Sequence, residues 1–86
     1  MTAARTVGWT RAAKRSLQLL PEKVATAAIE FIYGTLASNP HRAGKALRFE
    51  LDGLHSARRG DYRIIYRVDD ALITIVAVEH RSDAYR

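Results

Sequence analysis

The chain has 86 residues, 48% of them apolar, which supports one compact domain with a modest core and excludes both a second domain and global disorder. Lysine and arginine total 14 against 9 aspartates and glutamates, and the formal charge of +5 favours an anionic partner. There is no cysteine, so disulfide staples and thiolate metal sites are excluded, in keeping with a reducing, cytoplasmic setting. No apolar run reaches the roughly 18 residues of a membrane span, and Met1 to Trp9 lacks the apolar stretch of a signal peptide, so no membrane association is expected.

Thr6-Val7-Gly8-Trp9 is short and β-leaning, a candidate first strand. Trp9 is expected in the core rather than as a base-stacking platform. Thr10 suits a helix N-cap, because its hydroxyl can accept from a free N–H of the first turn. Ala13, Leu17 and Leu20 form an apolar stripe, with Arg11, Lys14, Arg15 and Gln18 largely opposite, so the first helix is amphipathic and basic. Pro21 suits the first turn of a second helix, followed by Glu22 at its positive end, and this helix is expected to run to about Ala37. Ala25, Ala28, Ile29, Ile32 and Leu36 make one stripe and Val24, Ala27 and Phe31 another. A helix apolar on most sides must be covered on most sides, by the first helix, a sheet and a partner.

Ser38-Asn39-Pro40 ends that helix. Residues 41–53 are then expected as a basic loop hinged at Gly44 and Gly53 and carrying His41, Arg42, Lys45 and Arg48. Leu54 to Arg59 is a weak strand candidate. Gly60-Asp61 is a turn, Tyr62 to Val68 a strong strand, Asp69-Asp70 a turn, and Leu72 to Val78 a strand apolar on both faces. His80 to Arg86 are expected to leave the sheet. The order β-α-α-β-β-β predicts an α+β domain over 1–86, with an antiparallel sheet of about four strands and two N-terminal helices on one side.

Alternation along the third strand puts Arg63, Ile65 and Arg67 on one face and Tyr62, Ile64, Tyr66 and Val68 on the core face. Two arginines that share a face must meet solvent, a carboxylate or a ligand phosphate, which a guanidinium binds bidentately. His80 is either an acid/base group or a residue packing at a strand end. His41 and His55 show no metal-ligand spacing and are expected at the surface, and no metal or other cofactor is expected.

Gly60-Asp61-Tyr62-Arg63-Ile64-Ile65-Tyr66-Arg67-Val68-Asp69-Asp70 and the ending His80-Arg81-Ser82-Asp83-Ala84-Tyr85 resemble the RelE/ParE superfamily of bacterial toxins. RelE-type members carry a G-x-Y-R-[VIL]-[VIL]-Y strand, then one apolar strand, then an H-R-x-[DE]-x-Y ending. The closing arginine and tyrosine point to the mRNA-cutting branch. The resemblance implies the toxin of a type II toxin–antitoxin pair, an endoribonuclease that cuts mRNA in the ribosomal A site. The RNA's own 2′-hydroxyl attacks the neighbouring phosphate. That needs a base, an acid for the leaving 5′-oxygen, and positive charge around the phosphorane, which fixed arginines supply without a metal.

Carried over by position, the resemblance makes Arg63, Arg81 and Tyr85 the candidate catalytic residues. Arg63 would hold the scissile phosphate and Arg81 clamp it, since a guanidinium with a pKa above about 12 is a poor proton donor. Tyr85 would orient or deprotonate the 2′-hydroxyl or stack on a base. Lys45, Arg48, Arg58 and Arg59 are candidate RNA-binding residues. Ser56 stands where the family usually has a lysine or arginine, which leaves the general base unassigned. The implied partners are a RelB-like antitoxin, the ribosome with its mRNA, and operator DNA through the antitoxin complex. Two other readings are a ParE-type gyrase-inhibiting toxin and a non-catalytic RNA-binding relative.

Overall fold

The computed structural model describes residues 5–47 and 53–80. Strand β1 (Thr6–Trp9) leads into helix α1 (Arg11–Gln18), then α2 (Glu22–Phe31), which continues through a π-helical turn, Ile32–Leu36. A short helix α3 (Pro40–Ala43) and a two-residue strand β2 (Lys45–Ala46) precede β3 (Leu54–Arg59), β4 (Tyr62–Val68) and β5 (Leu72–His80). The five strands form one sheet in the order β1-β5-β4-β3-β2. The architecture is α+β as expected, with two corrections. The sheet has five strands rather than about four, because the presumed loop contributes α3 and β2. It is also not wholly antiparallel, since β1 runs parallel to β5, Thr6 opposite Leu72 and Trp9 opposite Ile75. Among the described residues no helix is long and apolar enough to cross a membrane.

The helices cover one face of the sheet. Ala13 of α1, Ala28 and Phe31 of α2, and Ile32 and Leu36 of the π-helical turn meet Ile64 and Tyr66 of β4 and Ile73, Ile75 and Val78 of β5, all buried. Tyr62 and Tyr66 point into this core, as alternation required, while Arg63, Ile65 and Arg67 face the other way. Trp9 packs against the core edge and its indole N–H donates to the Tyr33 hydroxyl at 2.9 Å. Gly60, at φ +59°, turns β3 into β4 through the two-residue loop Gly60-Asp61.

Strand β5 contains an irregularity that repositions its end. Ile65 pairs with Ala77 but Tyr66 with Ile75, so Val76 is the extra residue of a β-bulge. Ile73 and Ile75 are buried before it and Val78 after it. Unbroken alternation would have sent residue 79 into the core with residues 73 and 75, whereas the bulge turns Glu79 to the opposite face.

Thr10 fixes α1 to this bulge. Its hydroxyl accepts from the Ala13 N–H at 3.0 Å and donates to the Val76 carbonyl at 3.0 Å, while its own N–H reaches the Ile75 carbonyl. Thr10→Ala is expected to cost about 1–2 kcal/mol, because it removes a helix cap and leaves a carbonyl without its donor. Urea titration checks this, and Thr10→Ser should recover most of the loss.

Candidate cationic site on the open sheet face

Among the described residues, no helix covers the face of the sheet that carries Arg63. The cross-strand register assembles the site there. Lys45 lies opposite Ser56, Arg58 opposite Arg63, and Arg63 opposite Glu79. Lys45, Ser56, Arg58 and Arg63 line one hollow of about 630 Å³, walled by Gly44 and Leu47. The missing cation at Ser56 is thus offset by its cross-strand neighbour, because Lys45 of β2 reaches the same hollow. Three cations on one uncovered surface suit a polyanion's phosphates, and Arg63 adds the planar fork that matches phosphate oxygens.

Arg63 is held by Glu79. Its Nε donates to Oε1 at 2.9 Å and its terminal nitrogen reaches the same oxygen. Both side chains remain 42% exposed, so the pair contributes little to stability and stays accessible to a ligand. The sequence reading allowed a carboxylate opposite the arginines but did not find Glu79, and register was the missing signal.

The other expected residues fall differently. Arg59 is adjacent to Arg58 on the strand and therefore points the other way, its guanidinium lying 5.4 Å from the centre of the Phe31 ring. It lines a separate groove of about 550 Å³ between α2 and the β3–β4 turn, with Lys23, Val24 and Asp61. Arg59 is thus not brought to the cationic hollow. His80 belongs to β5 rather than to a departing tail, and it lies opposite Tyr62 on the core-facing side, away from Arg63. Arg48, Arg81 and Tyr85 lie outside the described residues.

His55 is not a free surface residue. Its ring stacks on Tyr66 with centroids 5.4 Å apart and meets the edge of His41 at 5.5 Å. Its buried Nδ1 has no hydrogen-bond partner among the described residues. Burial, and secondarily the nearby His41, hold the His55 pKa below its ordinary value. Burial pushes the Tyr66 phenol up to about 12, and its hydroxyl donates to the Pro40 carbonyl at 2.6 Å. Burial also raises Tyr62, partly offset by Arg59.

The depressed His55 pKa has a pH signature. The unfolded chain binds a proton near pH 6.5 that the folded chain resists, so stability is full above about pH 6.5 and falls as pH drops below it. Denaturant titrations between about pH 5 and 8 should show this slope, and His55→Gln should flatten it. An unchanged slope in that variant would remove His55 as its source.

The family described as "ParE toxin of type II toxin-antitoxin system, parDE" matches residues 7–85. Toxin RelE of Mycobacterium tuberculosis is 54% identical, covering 93% of this chain and 84% of that protein. Toxin RelG of the same organism is 49% identical, covering 94% and 95%. The toxin–antitoxin complex RelBE2 from M. tuberculosis contains a chain of the same fold, with a TM-score of 0.89 and 46% identity over 92% of this chain and all 100% of that one. The archaeal RelE–RelB complex from Pyrococcus horikoshii OT3 matches with a TM-score of 0.69 and 29% identity, covering 92% and 97%. A match over nearly all the sequence, joined to the same sheet and helical layer, makes this chain a member of the RelE/ParE superfamily of type II toxin–antitoxin toxins.

Proposed function

We propose that this toxin is a ribosome-dependent endoribonuclease that cuts mRNA in the A site by attack of the RNA 2′-hydroxyl on the adjacent phosphate. The observation that carries the reading is the convergence of Lys45, Arg58 and Arg63 around one hollow on an uncovered sheet face. Charge develops on the non-bridging oxygens as the phosphorane forms, and preoriented cations stabilise it more than they stabilise the bound substrate. Arg63 holds the scissile phosphate while Lys45 and Arg58 hold the flanking backbone. Arg81 and Tyr85, one and five residues beyond the end of β5, complete the site as a second clamp and as the group that orients the 2′-hydroxyl or stacks on a base. Arg48 extends the backbone contact.

The partner is a RelB-like antitoxin, acting in the cytoplasm, where it keeps the toxin off the ribosome. Relatives of this chain were solved as RelB–RelE complexes, and that relationship supports the pairing. Operator DNA is bound through the antitoxin in the joint complex. The ParE description of the matching family supports a second reading, a gyrase-binding toxin with no use for the cationic hollow.

Expression in bacteria, with RNA 5′ ends mapped with and without ribosomes, separates the readings. Cuts inside translated codons that vanish in Arg63→Ala and weaken in Tyr85→Phe support the nuclease. DNA-damage signalling without RNA cuts supports the gyrase reading, and no growth effect supports a non-catalytic relative.

A further inference from the structure

We infer that Glu79 is the general base of this site, the group that takes the proton from the attacking 2′-hydroxyl; this rests on the nuclease reading above. The reaction needs a proton acceptor, and an ammonium or guanidinium group that carries its positive charge offers no lone pair for that proton. A carboxylate can. Among the described residues Glu79 is the carboxylate in contact with that cluster. Asp61 lines the groove beside α2, and Asp69 and Asp70 line a different hollow with Arg5 and His41.

The fold spends a structural feature on this placement. The extra residue Val76 rotates the end of β5, so that a side chain otherwise bound for the core stands beside Arg63. Thr10 holds the bulge through the Val76 carbonyl. Both contacts from Arg63 land on Oε1, and Oε2 has no partner among the described residues. One oxygen is therefore fixed by the phosphate-binding arginine while the other is available to a nucleophile at the same phosphate.

The step balances simply. Oε2 takes the 2′-hydroxyl proton as the 2′-oxygen–phosphorus bond forms. The phosphorus–5′-oxygen bond then breaks, the leaving oxygen keeps the electron pair and takes a proton from water, and the hydroxide left behind takes back the proton that Oε2 accepted, so no proton is gained or lost overall. The products are a 2′,3′-cyclic phosphate and a free 5′-hydroxyl. With the base assigned to Glu79, Tyr85 is left to orient or stack.

The test is single-turnover cleavage of a defined mRNA on programmed ribosomes, followed across pH, for the wild type, Glu79→Gln and Glu79→Asp. Glu79→Gln should cut about 10²–10⁴-fold more slowly and lose the acidic limb of the pH–rate profile, with ribosome binding and melting temperature retained. Glu79→Asp should recover part of the rate and keep that limb. Cleavage by Glu79→Gln at the wild-type rate overturns the base assignment and leaves the nuclease reading standing. A slower variant with the acidic limb intact also overturns it, because Glu79 would then only position Arg63. A wild-type protein that cuts nothing on ribosomes sinks both readings together.

Discussion

Under the proposed nuclease function, Arg63→Ala is expected to lower the rate of mRNA cleavage by about 10²–10³-fold, the usual loss when one preoriented partner of a developing oxyanion is removed. Two effects act in the same direction. The scissile phosphate loses its planar two-point donor, and Glu79 is left as an uncompensated negative charge beside it. Arg63→Lys keeps the charge but not the fork, and should recover only part of the rate. Folding should hardly change, because the Arg63–Glu79 pair is 42% exposed on both sides and such pairs contribute about 0–1 kcal/mol. A large kinetic loss with an unmoved melting temperature would mark a functional residue rather than a structural one. Single-turnover cleavage on ribosomes, beside thermal melts of the same preparations, provides the check. A variant within about threefold of wild type would show that the phosphate is bound elsewhere.

The elements with a strong local signal were legible. Thr10 caps α1 as its hydroxyl and position required, β4 spans Tyr62–Val68 as alternation and composition indicated, and the two tyrosines face inward. The elements that were missed have no local signal. A strand of two residues, Lys45–Ala46, is too short to display a period, and it exists because β3 offers it a partner edge. The parallel pairing of β1 with β5 joins residues some 66 apart in the chain, from Thr6 to Leu72 and from Trp9 to Ile75, so neighbouring sequence does not specify it.

The site was legible in part for the same reason. Arg63 stood out because polar and apolar residues alternate on β4. Glu79 did not, because Leu72 to Val78 is apolar on both faces and its phase cannot be read from hydrophobicity. An added residue at Val76 reverses that phase with no compositional trace. Arg58 and Arg59 show the opposite case. Two consecutive strand residues must diverge, so alternation alone separates them, and grouping both as RNA contacts overlooked it. Lys45 gained its place beside Ser56 only through register, which converts an apparent gap in the cationic pattern into a contribution from the adjacent strand.

Gly44→Ala is expected to damage folding and the site together. The need for glycine here is spatial rather than torsional, since φ −145° and ψ −170° are ordinary extended values. A Cβ at this position would lie 2.5 Å from the Ser56 carbonyl oxygen, 2.5 Å from the Tyr66 hydroxyl and 2.9 Å from the Ser56 carbonyl carbon. None of these can yield cheaply. Ser56 is backbone of β3, paired on both sides with β2 and β4, and Tyr66 is fully buried with its hydroxyl held by Pro40. The chain must instead lift β2 from the sheet, which takes Lys45 away from the hollow and strips the Pro40–Tyr66 hydrogen bond of its packing. Forced overpacking of this kind costs about 1–3 kcal/mol. For a domain of this size each kcal/mol lowers the melting temperature by about 4–8 °C. Gly34→Ala is the control, since a Cβ there meets nothing within 4 Å. Thermal melts and cleavage assays on the two variants should therefore diverge, with Gly44→Ala losing several degrees and most of its ribosome-dependent cutting while Gly34→Ala keeps both. Equal behaviour of the two would mean that β2 yields without cost, and that Lys45 does not depend on this contact for its position.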